Sequence, residues 1–245
     1  MNKVIRCKNT NNARLAALLV VQVFLGVSPV LMLISFVWFR LYEVKIIAII
    51  IIILIFLCNV AYAFLARRFN ILYSGARGER QLYKTVRHLS GNNIIFCNLP
   101  IRYKRGRSET DMLIISHRGV IIIEVKNHSG NIQGSWKSDK WQQRKFYRDK
   151  TVDIEMDNPI KQMRRQRDIV KSILNAAGED VWIDTVLYFS NTNAKLSLNL
   201  RQTDYVCLGS RELMHFLENY DHDEVLSKGQ MEKYSKILND ARSQI

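Results

Sequence analysis

The chain has 245 residues and a formal net charge of +14 at pH 7, with 36 Lys and Arg against 22 Asp and Glu. This length allows one large domain or one domain with appendages, and the basic composition favours partners that carry negative charge. The four cysteines are scattered, without a C-x-x-C pair, so nothing in their spacing indicates a zinc site or a redox dithiol. We expect free thiols in a reducing compartment.

Two apolar segments without charged residues lie near the start of the chain, at residues 15–39 and 46–66. Each is as long as the roughly 20 residues that a helix needs to cross the hydrocarbon core of a bilayer. We therefore predict that residues 1–66 form a membrane anchor of two transmembrane helices. A cleaved signal peptide is the alternative, but the first segment is longer than a signal-peptide core and lacks a small-residue cleavage site.

Basic residues flank this anchor at its two outer ends. The positive-inside rule then predicts a multi-pass protein of the cell (inner) membrane, with both ends and the remaining chain in the cytoplasm. Neither segment contains an Asp, Glu, Lys, Arg or His residue, so a transport or proton-relay function is not indicated.

The rest of the chain has the pattern of a mixed-sheet α/β domain, in the order α, β, β, β, α, β, β, α, α. We expect the main domain at residues 67–200, with a strand and helices at 201–245 that complete or cap it. Helical spacing of apolar residues predicts helices at 74–89, 158–176, 211–220 and 230–241. Short apolar runs predict strands at 94–99, 112–115, 120–123, 181–189 and 205–208. The polar segments 102–110 and 130–153 are expected to form a loop and a hairpin.

Three charged residues stand at the ends of two central apolar strands, where the sequence reads D-M-L-I-I-S-H-R-G-V-I-I-I-E-V-K from Asp111 to Lys126. Glu124 and Lys126 are two residues apart on one strand, so both point to the same face. Asp111 and Glu124 are hard oxygen ligands that suit Mg²⁺ or Mn²⁺. Lys126 can orient or deprotonate a water that attacks phosphorus. This pattern outlines a phosphodiester hydrolysis site; three solvated charges at strand ends are the alternative.

Positive charge is concentrated between residues 102 and 171, which hold 17 basic and 9 acidic residues. Such a surface attracts a polyanion, either nucleic acid or an anionic membrane surface. Aromatic residues are interleaved with some of these charges, as a stacking surface for nucleic acid or as the packing of a β-hairpin. The aromatic residues are Trp136, Trp141, Phe146 and Tyr147, and the charges are Lys137, Lys140, Arg144, Lys145 and Arg148.

A wider set of motifs resembles the nuclease-related domain (NERD) family, which is similar to the PD-(D/E)xK nuclease superfamily. The motifs occur in order over about residues 74–190, and their combination is more specific than the three charged residues alone. They are Gly75-x-x-Gly78-Glu79, Asp111, Gly119-V-I-I-I-Glu124-V-Lys126-Asn127, Gly130-x-Ile132-x-Gly134, Trp136 or Trp141, and Asn158-Pro159-x-x-Gln162.

The resemblance implies a restriction-endonuclease-like αβββαβ core with a mixed sheet. It also implies that Asp111, Glu124 and Lys126 are catalytic, that Glu79 is an auxiliary acid and that Gln162 lines the site. Asp111, Glu124 and Glu79 would then be the ligands of Mg²⁺ or Mn²⁺. Glu109, two residues before Asp111 in an extended segment, is a candidate for a further carboxylate.

These observations predict a membrane-anchored, metal-dependent nuclease-like protein that hydrolyses phosphodiester bonds in DNA, with RNA as the second choice of substrate. The main alternative is a catalytically silent module that binds nucleic acid or a protein at the membrane. A third is an interaction protein whose basic surface contacts anionic lipid.

Overall fold

The computed structural model describes residues 2–7, 10–40, 44–220 and 225–243. The chain divides into two compact units. One comprises Met1–Lys8 together with Arg77–Ile245, and the other is Asn9–Ala76. The boundaries 1–66, 67–200 and 201–245 expected from sequence stay a prediction.

The smaller unit is built from two long apolar helices, α1 (Thr10–Trp38) and the greater part of α2 (Lys45–Val86). Both are long and apolar enough to cross a membrane, with mean hydropathies of 2.5 and 3.0 in their most apolar windows. Almost none of this apolar surface is buried within the protein. Ser28 of α1 lies beside α2, with 3.8 Å between its Oγ and Sγ of Cys58. Residues 41–43, within the expected connection, lie outside the described residues.

The second helix is longer than the sequence pattern predicted. We expected a span ending at residue 66 and a separate helix from residue 74, but α2 runs unbroken from Lys45 to Val86. No proline interrupts the stretch between them, and Gly75 and Gly78 lie within the helix. A glycine in a helix interior costs only about 1 kcal/mol relative to alanine, which is too little to end a long helix.

Six strands form the main sheet: β1 (Lys3–Arg6), β2 (Ile94–Tyr103), β3 (Gly106–Ser116), β4 (Gly119–Lys126), β8 (Ile183–Phe189) and β10 (Tyr205–Leu208). They lie in the order β1-β2-β3-β4-β8-β10. Strands β2, β3 and β4 are antiparallel, whereas the outer pairings of β1, β8 and β10 are parallel. The tight turn between β3 and β4 ends at Gly119, whose φ of 123° is accessible to glycine.

Strand β1 was not predicted from the sequence. It precedes the first apolar helix in the chain, yet it pairs with β2 from Lys3↔Ile94 to Arg6↔Cys97. The side chain of Asn2 extends this attachment, since its Nδ2 donates to the carbonyl of Leu89 at 2.9 Å. Both ends of the helical unit are therefore covalently joined to the same folded unit.

A second sheet has the order β7-β6-β5-β9, from β5 (Gly130–Ser135), β6 (Lys140–Phe146), β7 (Thr151–Asp157) and β9 (Ala194–Asn199). The expected hairpin at 130–153 is thus three strands, joined in parallel by β9 through β5. Trp141 is fully buried at the centre of this sheet, where its Nε1 donates to the carbonyl of Ser135 at 3.0 Å.

Three helices complete the larger unit: α3 (Pro159–Ala176), α4 (Gly209–Asn219) and α5 (Lys228–Ser243). Two hydrophobic cores lie on opposite faces of the main sheet. Helices α3 and α5 contribute Val170 and Leu238 to one core, whereas α2 and α4 contribute Leu82 and Leu213 to the other. The protein is therefore a mixed α/β fold with a mixed sheet, preceded by two long apolar helices.

The expected polar loop at 102–110 is instead the tip of a β-hairpin. Strands β2 and β3 continue to Tyr103 and Gly106, with a two-residue turn between them. The loop prediction was wrong because it relied on the polar composition of this segment. Burial alternates along β2 with a period of two residues, as expected for a strand: Leu99 and Ile101 are buried, and their neighbours in sequence are not.

Candidate functional site

The β3–β4 hairpin brings the predicted acidic residues together. The two strands pair antiparallel from Ser116↔Gly119 to Met112↔Ile123, and the same register continued by one residue sets Asp111 opposite Glu124. Side chains directly opposite each other in such a pair have Cβ atoms about 5 Å apart. Oδ2 of Asp111 accepts a hydrogen bond of 2.7 Å from the backbone N–H of Val125, which fixes this carboxylate beside Glu124.

Lys126 lies on the same face of β4 as Glu124, as the two-residue spacing predicted. Its Nζ donates to Oε1 of Glu124 at 2.6 Å and to Oε1 of Gln162 at 3.2 Å. The side chain of Lys126 is 21% exposed and that of Glu124 is 3% exposed. The ammonium group thus lies at the boundary between a buried carboxylate and solvent.

Gln162 is placed by the geometry of the helix start. Asn158 caps α3, since its side-chain oxygen accepts a hydrogen bond of 2.9 Å from the N–H of Ile160. The Asn158 amide also donates to the carbonyls of Ser138 and Ser135, at 2.6 and 3.0 Å. Pro159 suits the first helical position because its missing N–H would have no helical partner there. The N-P-x-x-Q motif therefore fixes the first turn of α3 against the second sheet and directs Gln162 to Lys126.

Gln166 is a residue of this cluster that the sequence reasoning missed. It is fully buried one turn beyond Gln162, and its Nε2 donates to Oε2 of Glu124 and to the backbone carbonyl of Glu109, both at 2.8 Å. Its own Oε1 is buried without a hydrogen-bond partner among the described residues. One feature of the sequence could have indicated it. Gln166 lies four residues after Gln162, at a position where the apolar stripe of α3 between Met163 and Val170 predicts an apolar residue.

The charges of the cluster act on one another. Burial, followed by the negative charges of Glu124 and Glu79, raises the pKa of Asp111 well above its usual value, against the opposing effect of Lys126 and the Val125 N–H. For Lys126, burial disfavours the ammonium form, but the charges of Glu124 and Asp111 outweigh it and raise the pKa. Lys126 is therefore a cation, and a hydrogen-bond donor, at neutral pH.

Glu79 approaches the same end of the sheet from α2. Its Oε2 accepts a hydrogen bond of 2.9 Å from Nδ2 of Asn98, a residue with a φ of 53° in the middle of β2. Asparagine tolerates this left-handed conformation better than most residues. The regular alternation of side chains along β2 is interrupted at Asn98. Cys97 belongs to the core beneath α2, whereas Leu99, two residues later, belongs to the core beneath α3.

The preceding residue, Gly78, allows α2 to pack closely on the site. A Cβ atom at this position would lie 3.1 Å from Cβ of Asn127 and 3.3 Å from both Oγ of Ser190 and Cγ2 of Val125. At Gly75, by contrast, a Cβ atom would meet nothing within 4 Å. Of the two motif glycines, Gly78 is the one that the close contact between α2 and β4 requires.

Other predicted candidates lie outside the cluster. The side chain of Glu109 is exposed, and its backbone carbonyl accepts a hydrogen bond from the buried Gln166. Trp141 is core, as the hairpin interpretation of the aromatic residues expected, whereas Phe146 and Tyr147 are more than half exposed. Among the described residues, no group of three or more His, Cys, Asp or Glu side chains is arranged to hold a metal ion.

Much of the expected basic surface is neutralised locally. Salt bridges join seven of the 17 basic residues between 102 and 171 to acidic side chains. The pairs are Lys126–Glu124, Lys140–Asp157, Arg144–Asp153, Lys161–Asp139, Arg164–Asp204, Arg167–Asp168 and Lys171–Asp180.

Residues 74–190 match the family model of the nuclease-related domain. This part of the chain is a nuclease-related domain. Neither a curated protein nor a solved structure matches the chain.

The NERD domain begins within α2 and ends one residue after β8. It therefore contains the three elements that carry Asp111, Glu124, Lys126 and Gln162, together with the turn of α2 that holds Gly78 and Glu79. The family accordingly indicates a nuclease-related function for the part of the chain in which the charged cluster lies.

Proposed function

We propose that this protein is a membrane-anchored nuclease that uses Mg²⁺ or Mn²⁺ to hydrolyse phosphodiester bonds in DNA. The observation that carries the proposal is the convergence of Asp111, Glu124 and Lys126, with Gln162, at one end of the β3–β4 hairpin. The succession α2, β2, β3, β4, α3, β8 around this cluster supports a restriction-endonuclease-like core.

The donor set fits a magnesium-type ion. Magnesium is usually bound by one or two carboxylates and keeps several waters, so Asp111 and Glu124 would be enough to hold it. Glu79 is a candidate for a further contact through water, because it lies near enough for its charge to act on Asp111. When bound, the ion would offset the negative charge that develops on the phosphate.

Residues of this chain would orient the attacking water and stabilise the negative charge on the phosphate. Lys126 already donates hydrogen bonds to two oxygens and stays charged, so it serves to orient the attacking water and to stabilise negative charge on the phosphoryl oxygens. Gln162 holds the ammonium from the side of α3, while the Val125 N–H holds Asp111. Groups fixed in this way need little reorganisation when the substrate binds.

The two apolar helices support membrane attachment. Their large apolar side chains are exposed, as in Phe24 at 70% and Ile46 at 72%. A soluble protein rarely exposes continuous apolar surface of this size, whereas a bilayer would cover it. We propose that α1 and the first half of α2 anchor the NERD domain to the cytoplasmic face of the membrane.

The test is strand cleavage by the full-length protein in nanodiscs, with single- and double-stranded DNA and RNA, in Mg²⁺ and in a chelator. Lys126→Ala and Asp111→Asn are expected to reduce cleavage by at least a hundredfold, because each removes a group placed at the reacting phosphate. Lys171 lies on the same helix as Gln162 and forms a salt bridge with Asp180, beyond the end of that helix. Lys171→Ala is the matched control and is expected to cleave normally. Cleavage that persists in both site variants would contradict the assignment.

One observation favours the silent binding module as a second candidate. Both carboxylate oxygens of the buried Glu124 already accept hydrogen bonds, from Lys126 and from Gln166. A carboxylate whose two oxygens already accept hydrogen bonds gains less free energy from binding a metal ion. Binding of DNA that is unchanged in the two site variants, without cleavage of any substrate by the parent protein, would support this candidate.

A further inference from the structure

The tip of the β2–β3 hairpin carries four basic side chains and a net positive charge. Arg102, Lys104, Arg105 and Arg107 are exposed, and none forms a salt bridge with any residue that the structure describes. Elsewhere the cations Lys140, Arg144 and Arg167, of which the first two are exposed, are paired with acids. We call the four residues the hairpin tip.

The arrangement of these charges is unfavourable in the protein alone. Arg102 and Arg107 are direct cross-strand partners, so two like charges face each other across the ladder. Such pairs destabilise a sheet, and a bound anion between them would reverse the effect. Glu109 is the only acidic residue in the sequence from Arg102 to Thr110, so the hairpin keeps a net positive charge.

A cleft connects the hairpin tip with the helix that carries Gln162. The cleft has a volume of about 430 Å³ and is lined by Tyr103 and Gly106 of the hairpin. From α3 it is lined by basic, acidic, apolar and polar side chains, which are Lys161, Arg164, Arg165, Asp168, Ile169 and Ser172. Along β3 the distance from Arg107 to Asp111 is four residues, or about 13 Å. This is about the axial rise of four nucleotides along one strand of a duplex.

From this geometry we infer that the hairpin tip binds the phosphate backbone of the nucleic-acid substrate a few nucleotides from the bond at Asp111 and Glu124. The inference rests on the proposed function and adds to it the surface that holds the substrate. A phosphate backbone fits better than a lipid surface because its charges recur along a line that can occupy the hairpin tip and the carboxylate cluster together.

The experiment measures binding of a fluorescent 20-base-pair DNA to the full-length protein in nanodiscs of zwitterionic lipid, between 50 and 200 mM salt without divalent cations. The variant Arg102→Gln/Arg105→Gln/Arg107→Gln lacks three contacts. Over this fourfold range of salt the parent is expected to lose about 40-fold more affinity than the variant, since each phosphate contact adds about 0.9 to the slope of log affinity against log salt.

The matched control is Lys140→Gln/Arg144→Gln/Arg167→Gln, which removes the same charge from cations that have acidic partners. It is expected to keep the slope of the parent, as is the triple Arg→Lys variant of the hairpin tip. The thermal midpoint of each variant is measured alongside, and that of the glutamine variant of the hairpin tip is expected to be unchanged or higher, because a repulsive pair has been removed.

Equal slopes for the two glutamine variants would overturn the inference, because net charge alone would then explain binding. So would hairpin-dependent binding to vesicles with 30% phosphatidylserine together with unchanged DNA binding, which would assign the hairpin tip to lipid. Hairpin-dependent DNA binding without cleavage by the parent would support the inference while the proposed function fails. Cleavage by the parent, together with DNA binding that does not depend on the hairpin tip, would support the proposed function and overturn the inference.

Discussion

The side-chain amide of Gln166 donates a hydrogen bond of 2.8 Å to Oε2 of Glu124, deep between α3 and β4. The same amide reaches the carbonyl of Glu109, so it ties both central strands to the helix. We expect Gln166→Leu to destabilise the protein by about 1–3 kcal/mol, because the buried carboxylate of Glu124 and the part-buried carbonyl of Glu109 lose their donor. Denaturant unfolding of the protein in detergent measures this loss.

The comparison variant is Gln162→Leu, whose partner Lys126 is partly exposed and can turn to water. It is expected to change the stability by less than half as much while it still lowers cleavage. If both variants lose the same stability, the buried amide of Gln166 has no special part in holding Glu124.

The two glycines of the first motif are expected to respond differently to alanine. Gly78→Ala should destabilise the protein by about 1–3 kcal/mol and reduce cleavage, because the added methyl group pushes α2 against Val125, whose N–H holds Asp111. Gly75→Ala should be neutral or stabilising by up to about 1 kcal/mol, since that side of the helix is open. Thermal unfolding and the cleavage rate of the two variants test the contrast, and a reversed order would refute the packing argument.

Gly134 is the position at which a methyl group has least room. A Cβ atom there would lie 2.3 Å from the ring of Trp141, which is fully buried and donates to Ser135. Gly134→Ala is therefore expected to cost at least about 3 kcal/mol and to expose the second sheet to proteolysis. Gly229→Ala, in the first turn of α5 with nothing within 4 Å, provides the control. Equal resistance of the two variants to limited proteolysis would contradict the close packing of Gly134 against Trp141.

His128 makes stability depend on pH. Burial, followed by the charges of Lys126 and Lys145, lowers its pKa from 6.5 to about 4. Between these values the unfolded chain binds a proton that the folded protein does not, so this residue makes the free energy of unfolding fall as the pH decreases from about 6.5 to about 4. We expect the parent to lose more stability than His128→Gln between pH 7 and pH 5. The difference between the two proteins isolates His128 from Asp111, whose raised pKa acts in the opposite direction.

Local pattern was enough to predict the strands and helices whose apolar residues repeat regularly. The strand at 205–208 has those bounds in the structure, and α3 begins at Pro159, one residue after the predicted start at 158. The spacing of Glu124 and Lys126 predicted their common face, and the resemblance placed Gln162 at the site, where it contacts Lys126.

Features that depend on distant parts of the chain were not predicted. Strand β1 has only four residues and owes its conformation to β2, about 90 residues away in sequence. Gln166 reads as an ordinary polar helix residue until Glu124 is placed against it. The charge count of residues 102–171 could not separate paired cations from the unpaired hairpin tip, because pairing depends on which strands become neighbours.

The position of β1 also sets an order of events during synthesis. Residues 3–6 leave the ribosome before their partner, residues 94–97 of β2, which is made about 90 residues later. At usual rates of translation the first strand waits roughly 5 to 20 s, during which both apolar helices emerge. The edge of the sheet therefore closes only after the helices have been made. A tag or fusion placed directly before Lys3 would be carried into that closing step.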